Sequence, residues 1–83
     1  MTIIKTKEEL LEFLETFPEG AYHWLNERYS EQEEHVFDNG GDFRDRESII
    51  EEVWQGDIKY NMDDVKFEIP DEEAKQLIND YVD

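Results

Sequence analysis

DIKYNMDDVKFEIP, residues 57–70, decides between an all-helical bundle and an α+β domain. Val65, Phe67 and Ile69 alternate with Lys66 and Glu68, the period of two that turns one face of a strand inward. Ile58 to Tyr60 offers a second strand, and Asn61-Met62-Asp63-Asp64 between them reads as a polar turn. Strands joined so closely predict a small antiparallel sheet.

Outward from this stretch the periodicity is helical. Pro70 suits the first position of a last helix in which Ala74, Leu77, Ile78 and Tyr81 fall at i, i+3, i+4 and i+7. On the other side, Ile49, Ile50, Val53 and Trp54 form the buried stripe of a third helix. It starts from Asp45 or from Ser48, which pairs with Glu51 as a capping box, and stops at Gly56. Asn39-Gly40-Gly41 is a turn signal that, flanked by Val36-Phe37 and Phe43, predicts a hairpin. A second helix covers 21–29 and runs on through the glutamates to His35. The first helix follows a Thr6/Glu9 capping box, carries Leu10, Leu14 and Phe17 with Leu11 and Phe13 beside them, and stops at Pro18 and Gly20. Thr2-Ile3-Ile4 suits a short strand. The expected fold is one compact α+β domain over residues 1–83, with three or four helices and a two- or three-stranded antiparallel sheet; an all-α bundle is the alternative.

A chain of 83 residues buries only about 60 to 65% of its unfolded surface, too little for two cores or a deep enzymatic cleft. It has no cysteine, which removes disulfides and thiolate metal sites and suits a reducing compartment; the cytoplasm is the expected location. No apolar run reaches the 18 or so residues of a membrane span, and MTIIKTKEELL has charges where a signal peptide is apolar.

Charge dominates the composition: 24 acidic against 8 basic residues, net −16. Nucleic acid and anionic membrane would be repelled, so neither is an expected direct partner, whereas a basic protein or cations would be attracted. A halophilic source would also account for such acidity. The stretch 31–52, EQEEHVFDNGGDFRDRESIIEE, concentrates nine carboxylates against two arginines. These do not make an EF-hand, because Phe43 and Ile49 stand where the loop needs its glycine and its bidentate glutamate. His23 and His35, twelve residues apart, lack zinc-motif spacing, and Ser30 and Ser48, the only serines, lie in no nucleophile elbow. No metal, cofactor or enzymatic activity is expected.

FEIPDEEAKQLINDYV, 67–82, resembles the C-terminal stretch of acyl carrier proteins, small acidic helical domains modified on a serine that opens their second helix. Glu47-Ser48-Ile49 stands where that family has Asp-Ser-Leu, so the resemblance implies Ser48 as the attachment point, with both flanking residues altered. Gly56 also shortens the helix that would follow.

In size and charge alone the chain is similar to DNA-mimic inhibitors, the phage-type anti-restriction and anti-CRISPR proteins, and to immunity proteins of nucleases. A compact chain of this length has a radius of gyration of about 12 Å and a diameter of about 30 Å. Duplex DNA of that length carries about 18 negative charges. Carboxylates at i, i+3 and i+4, such as Glu8/Glu12/Glu15 or Glu47/Glu51, lie about 5 to 6 Å apart and approximate a row of phosphates. The expected partner is a basic nucleic-acid-binding protein, a nuclease or a CRISPR or restriction effector, met by a monomer or homodimer. The expected contact residues are Glu31, Glu33, Glu34, Asp38, Asp42, Phe43, Asp45, Glu47, Asp57, Tyr60, Asp63 and Asp64. Phe37 is a further aromatic candidate, equally suited to the core. The second expectation is an acidic adaptor that binds through exposed aromatics; the carrier protein is the third.

Overall fold

Helix boundaries follow side-chain chemistry. In the computed structural model, which describes residues 2–38 and 45–82 without the side chain of Val36, Thr6 caps the first helix by accepting the Glu9 amide on its hydroxyl at 3.2 Å. The elements are β1 (Thr2–Ile4), α1 (Lys7–Glu15), α2 (Gly20–Asp38), α3 (Arg46–Glu52), a π-helical segment (Val53–Lys59), β2 (Val65–Phe67) and α4 (Asp71–Tyr81). Four helices and a two-stranded sheet make this an α+β fold.

The sheet is parallel rather than antiparallel. β2 pairs with β1 in the register Thr2–Val65, Ile3–Lys66 and Ile4–Phe67, so the connection between them carries α1, α2, α3 and the π-helix, with α4 following β2. The expected strand at Ile58–Tyr60 does not exist, because Ile58 is fully buried while Tyr60 is 71% exposed. A strand would turn residues two apart to the same face. Instead α3 continues past Gly56 as the π-helix, closed by the Tyr60 amide on the Gln55 carbonyl at 3.1 Å. The vacated edge of β2 is taken by β1, whose Ile4 carbonyl accepts the amides of Glu68 and Ile69 at 2.8 and 3.0 Å. The alternation of Val65, Phe67 and Ile69 inward against exposed Lys66 and Glu68 holds.

Val36 and Phe37 are not half of a hairpin, since α2 runs without a break to Asp38. The Asn39-Gly40-Gly41 turn and Phe43 lie outside the described residues. Asp45, not Ser48, caps α3, accepting the Ser48 amide at 2.8 Å, and Pro70 sits one residue ahead of α4 at its N-cap.

The core gathers Leu10 and Leu14 of α1, Ala21 and Leu25 of α2, Ile50 of α3, Val53, Trp54 and Ile58 of the π-helix, and Ala74, Leu77 and Ile78 of α4 around Ile4 and Ile69. Five aromatics cross it as a chain of edge-to-face contacts, Trp24–Phe17–Phe13–Phe67–Trp54, with ring centroids 5.0, 5.4, 6.2 and 5.4 Å apart. The molecule measures 39 × 23 × 22 Å with a radius of gyration of 12.7 Å, its long axis exceeding the diameter expected above. No helix among the described residues is long and apolar enough to cross a membrane.

Candidate functional site

α2 is nineteen residues long, about 28 Å at the helical rise, yet its described apolar burial is confined to its first half. Ala21 and Leu25 are fully buried, Trp24 and Tyr29 pack against the core, and beyond Tyr29 every residue with a described side chain is exposed except Gln32. At 100° per residue, Glu27, Glu31, Glu34 and Asp38 fall within about 60° of one another. These four exposed carboxylates form a stripe about 16 Å long, one charge per turn. Phe37, 79% exposed, stands three and four residues from Glu34 and Glu33 and is flanked by both.

The stripe runs against the helix's own electrostatics. A helix favours acids at its start and bases at its end. α2 has no acid in its first turn, and its last holds Asp38 with His35 as the only basic residue. Arg28 offsets part of the charge through an ion pair with Glu31 at 3.1 Å, while its guanidinium sits 5.3 Å over the Trp24 ring.

The remaining expected contact residues are dispersed. Asp57, on the π-helix, meets α2 through Gln32 Nε2 at 3.4 Å. Partial burial pushes its carboxyl up; the Gln32 hydrogen bond and Arg28 pull it down, and neighbouring Glu31 and Glu52 raise it further. Asp57 therefore joins the core-side flank of the stripe. Asp45 is occupied as the α3 cap, and the Ser48 backbone bond holds its carboxyl below the usual range. Glu47 lines an open groove of about 580 Å³ between α3 and α4, opposite Glu72 and Glu73. Tyr60, Asp63 and Asp64 belong to the loop before β2, where Tyr60 lies under the Lys59 ammonium at 5.4 Å and the Asp64 carbonyl accepts the Thr2 amide at 3.3 Å. Asp42 and Phe43 lie outside the described residues. The structure thus sets Glu31, Glu34 and Asp38 in one row on α2 with Glu33 around the corner, brings Asp57 beside Glu31, and places Asp45, Glu47, Tyr60, Asp63 and Asp64 elsewhere.

Two carboxylates not among the expected residues belong to this face: Glu27, at the start of the stripe, and Glu52, beside Asp57. Glu27 is legible in the sequence as i−4 from Glu31 once α2 is carried to Asp38. Glu52 carries no such signal, because its approach to Asp57 depends on the π-helix.

Ser48 is half-buried in the first turn of α3, its amide held by Asp45. A three-donor set that histidine spacing does not announce occurs at the other end of α2, where Glu19, His23 and Glu27 bring ligand atoms within 4.8 Å of one another. No protein-family model, curated protein or solved structure matches the chain.

Proposed function

We propose that this chain is a non-enzymatic inhibitor that occupies the nucleic-acid-binding surface of a basic partner protein, presenting α2 in place of a phosphate strand. The observation that carries this reading is the second half of α2, where no described apolar side chain is buried. It holds Glu31, Glu34 and Asp38 in one exposed row, extended backward by Glu27, against the preference of the helix dipole. A charge placement that works against local stability marks a constraint other than folding. One carboxylate per turn, about every 5.4 Å, approaches the charge spacing of one DNA strand, about 3.4 Å, and a basic groove would associate with it rapidly by electrostatic steering. Phe37 supplies the contact area that charge does not, since interface energy concentrates in aromatic anchors.

The test is charge reversal on the stripe. Replacing Glu31, Glu34 and Asp38 with lysine removes the row while keeping the fold, because lysines near the end of α2 suit the dipole. A basic nucleic-acid-binding protein retained from bacterial lysate by the parent chain should be released steeply by salt, displaced by duplex DNA and not retained by the triple variant. Retention by the variant would remove α2 from the interface.

The exposure of Phe37 and Tyr60, 79% and 71%, favours a second reading, an acidic adaptor held through aromatic contacts. Its binding would persist at high salt, ignore DNA and fail in Phe37→Ala while surviving the lysine variant.

A further inference from the structure

Glu19 precedes α2, yet the chain turn that starts the helix lays it over the first helical turn. Gly20 adopts φ +82°, a conformation open to glycine, and its amide closes on the Phe17 carbonyl at 3.0 Å. Glu19, His23 and Glu27 consequently line up four residues apart on one exposed surface, one donor from each within 4.8 Å of the others. Among the described residues no side-chain hydrogen bond or ion pair engages any of the three. The two carboxylates so placed repel each other, and with the imidazole nitrogen they offer three donor atoms to a cation.

We propose that Glu19, His23 and Glu27 bind one divalent transition-metal ion of the zinc class. Zinc bonds of about 2.0 to 2.2 Å at tetrahedral angles put ligand atoms about 3.3 to 3.5 Å apart, so closing from 4.8 Å takes only rotamer adjustment of exposed side chains. The donor set selects the metal. An imidazole with two carboxylates suits zinc, copper or nickel, whereas calcium takes six to eight oxygens and magnesium keeps its waters. Full exposure leaves the remaining coordination position to water or to a donor from a partner. The positive start of α2 opposes a cation here, while the net charge of −16 raises the local cation concentration. This site lies at the start of α2 and shares Glu27 with the acidic row, but it needs neither Glu31, Glu34 nor Asp38, so it stands or falls independently of the inhibitor reading.

The experiment is a zinc titration of the full chain in physiological salt with excess magnesium, followed by NMR of both imidazoles and by calorimetry. The expected result is saturation at one equivalent with His23 resonances displaced, those of His35 unmoved over the same range, and no displacement by magnesium alone. His23→Ala should abolish the calorimetric signal, and the double variant Glu19→Gln, Glu27→Gln should weaken binding about tenfold or more. All three positions are exposed, so circular dichroism should register no change in fold. Parallel, unsaturable drift of both histidines, no response of His23 to millimolar zinc, or undiminished binding by the double variant would each overturn the site.

Discussion

Arg46 shows how one basic residue is committed in a chain with so few. Its guanidinium donates to Asn79 Oδ1 at 2.8 Å and to the carbonyls of Asn79 and Val82 at 3.1 and 2.6 Å, and lies 5.5 Å over the Tyr29 ring. It thereby ties α3 to the C-terminal end of α4, whose carbonyls lack intrahelical partners, and to α2. Arg46→Ala should cost about 1 to 2 kcal/mol in chemical denaturation, and Arg46→Lys should recover less than half, because an ammonium cannot span the same acceptors or stack as flatly. Asp71 is an acidic residue committed in the same way. Its Oδ1 accepts the indole N–H of fully buried Trp54 at 2.8 Å and the Lys59 ammonium at 2.9 Å, and these two bonds, the first above all, hold its carboxyl below the usual range. Asp71→Ala would orphan a buried donor at a cost of about 1 to 3 kcal/mol, whereas Asp71→Asn keeps an acceptor and should lose less in the same measurement.

At the scale of elements, the π-helix and α2 are where geometry departs from periodicity. A Cβ built on Gly56 meets nothing within 4 Å and φ there is ordinary, so Gly56→Ala should stabilise by about 0.4 to 1 kcal/mol, read as a raised midpoint in urea. The same segment sets two opposed responses to pH. Asp57 is raised by burial, so between its unfolded and folded values the native state binds more protons and stability falls as pH rises through that window. Asp71 is lowered, so its contribution is present above the unfolded carboxylate value and lost as pH falls through the folded one. Asp57→Asn should therefore be more stable than the parent at pH 7 and indistinguishable from it below both values, which thermal unfolding at two pH values would reveal.

For the whole molecule the net charge of −16 on a body of 39 × 23 × 22 Å governs stability as well as association. At about 0.01 M ionic strength the screening length of about 30 Å lets nearly every carboxylate feel every other; at about 0.15 M it shrinks to about 8 Å and leaves only neighbours. Self-repulsion should therefore fall with salt, and Tm should rise between these conditions by several degrees, about 4 to 8 °C for each kcal/mol regained in a domain of this size. A Tm that falls instead would mean that ion pairs such as Lys59–Asp71 outweigh the repulsion. The proposed association with a basic partner would have the opposite dependence, weakening as salt rises.

The sequence by itself determined the local structure that rests on neighbours in the chain: the Thr6 cap, the inward stripe of α1, the alternation at Val65, Phe67 and Ile69, and the apolar face of α4. It also determined the charge, on which the proposed partner class rests. Only the tertiary structure decided which edge β2 takes. Ile58 and Tyr60 satisfy a strand's local pattern, but Ile58 reaches the core from the π-helix, and Ile4, from the far end of the chain, supplies the carbonyl that Glu68 and Ile69 need. It likewise decided which carboxylates face the same way. Glu31, Glu34 and Asp38 form a row with Glu27 only because α2 runs on to Asp38 through a Val-Phe pair that suggests a strand, and because Tyr29 is the last described side chain of α2 packed against the core. Long-range pairing and the reach of the core are settled by packing between distant segments, and short-range patterns carry no record of them.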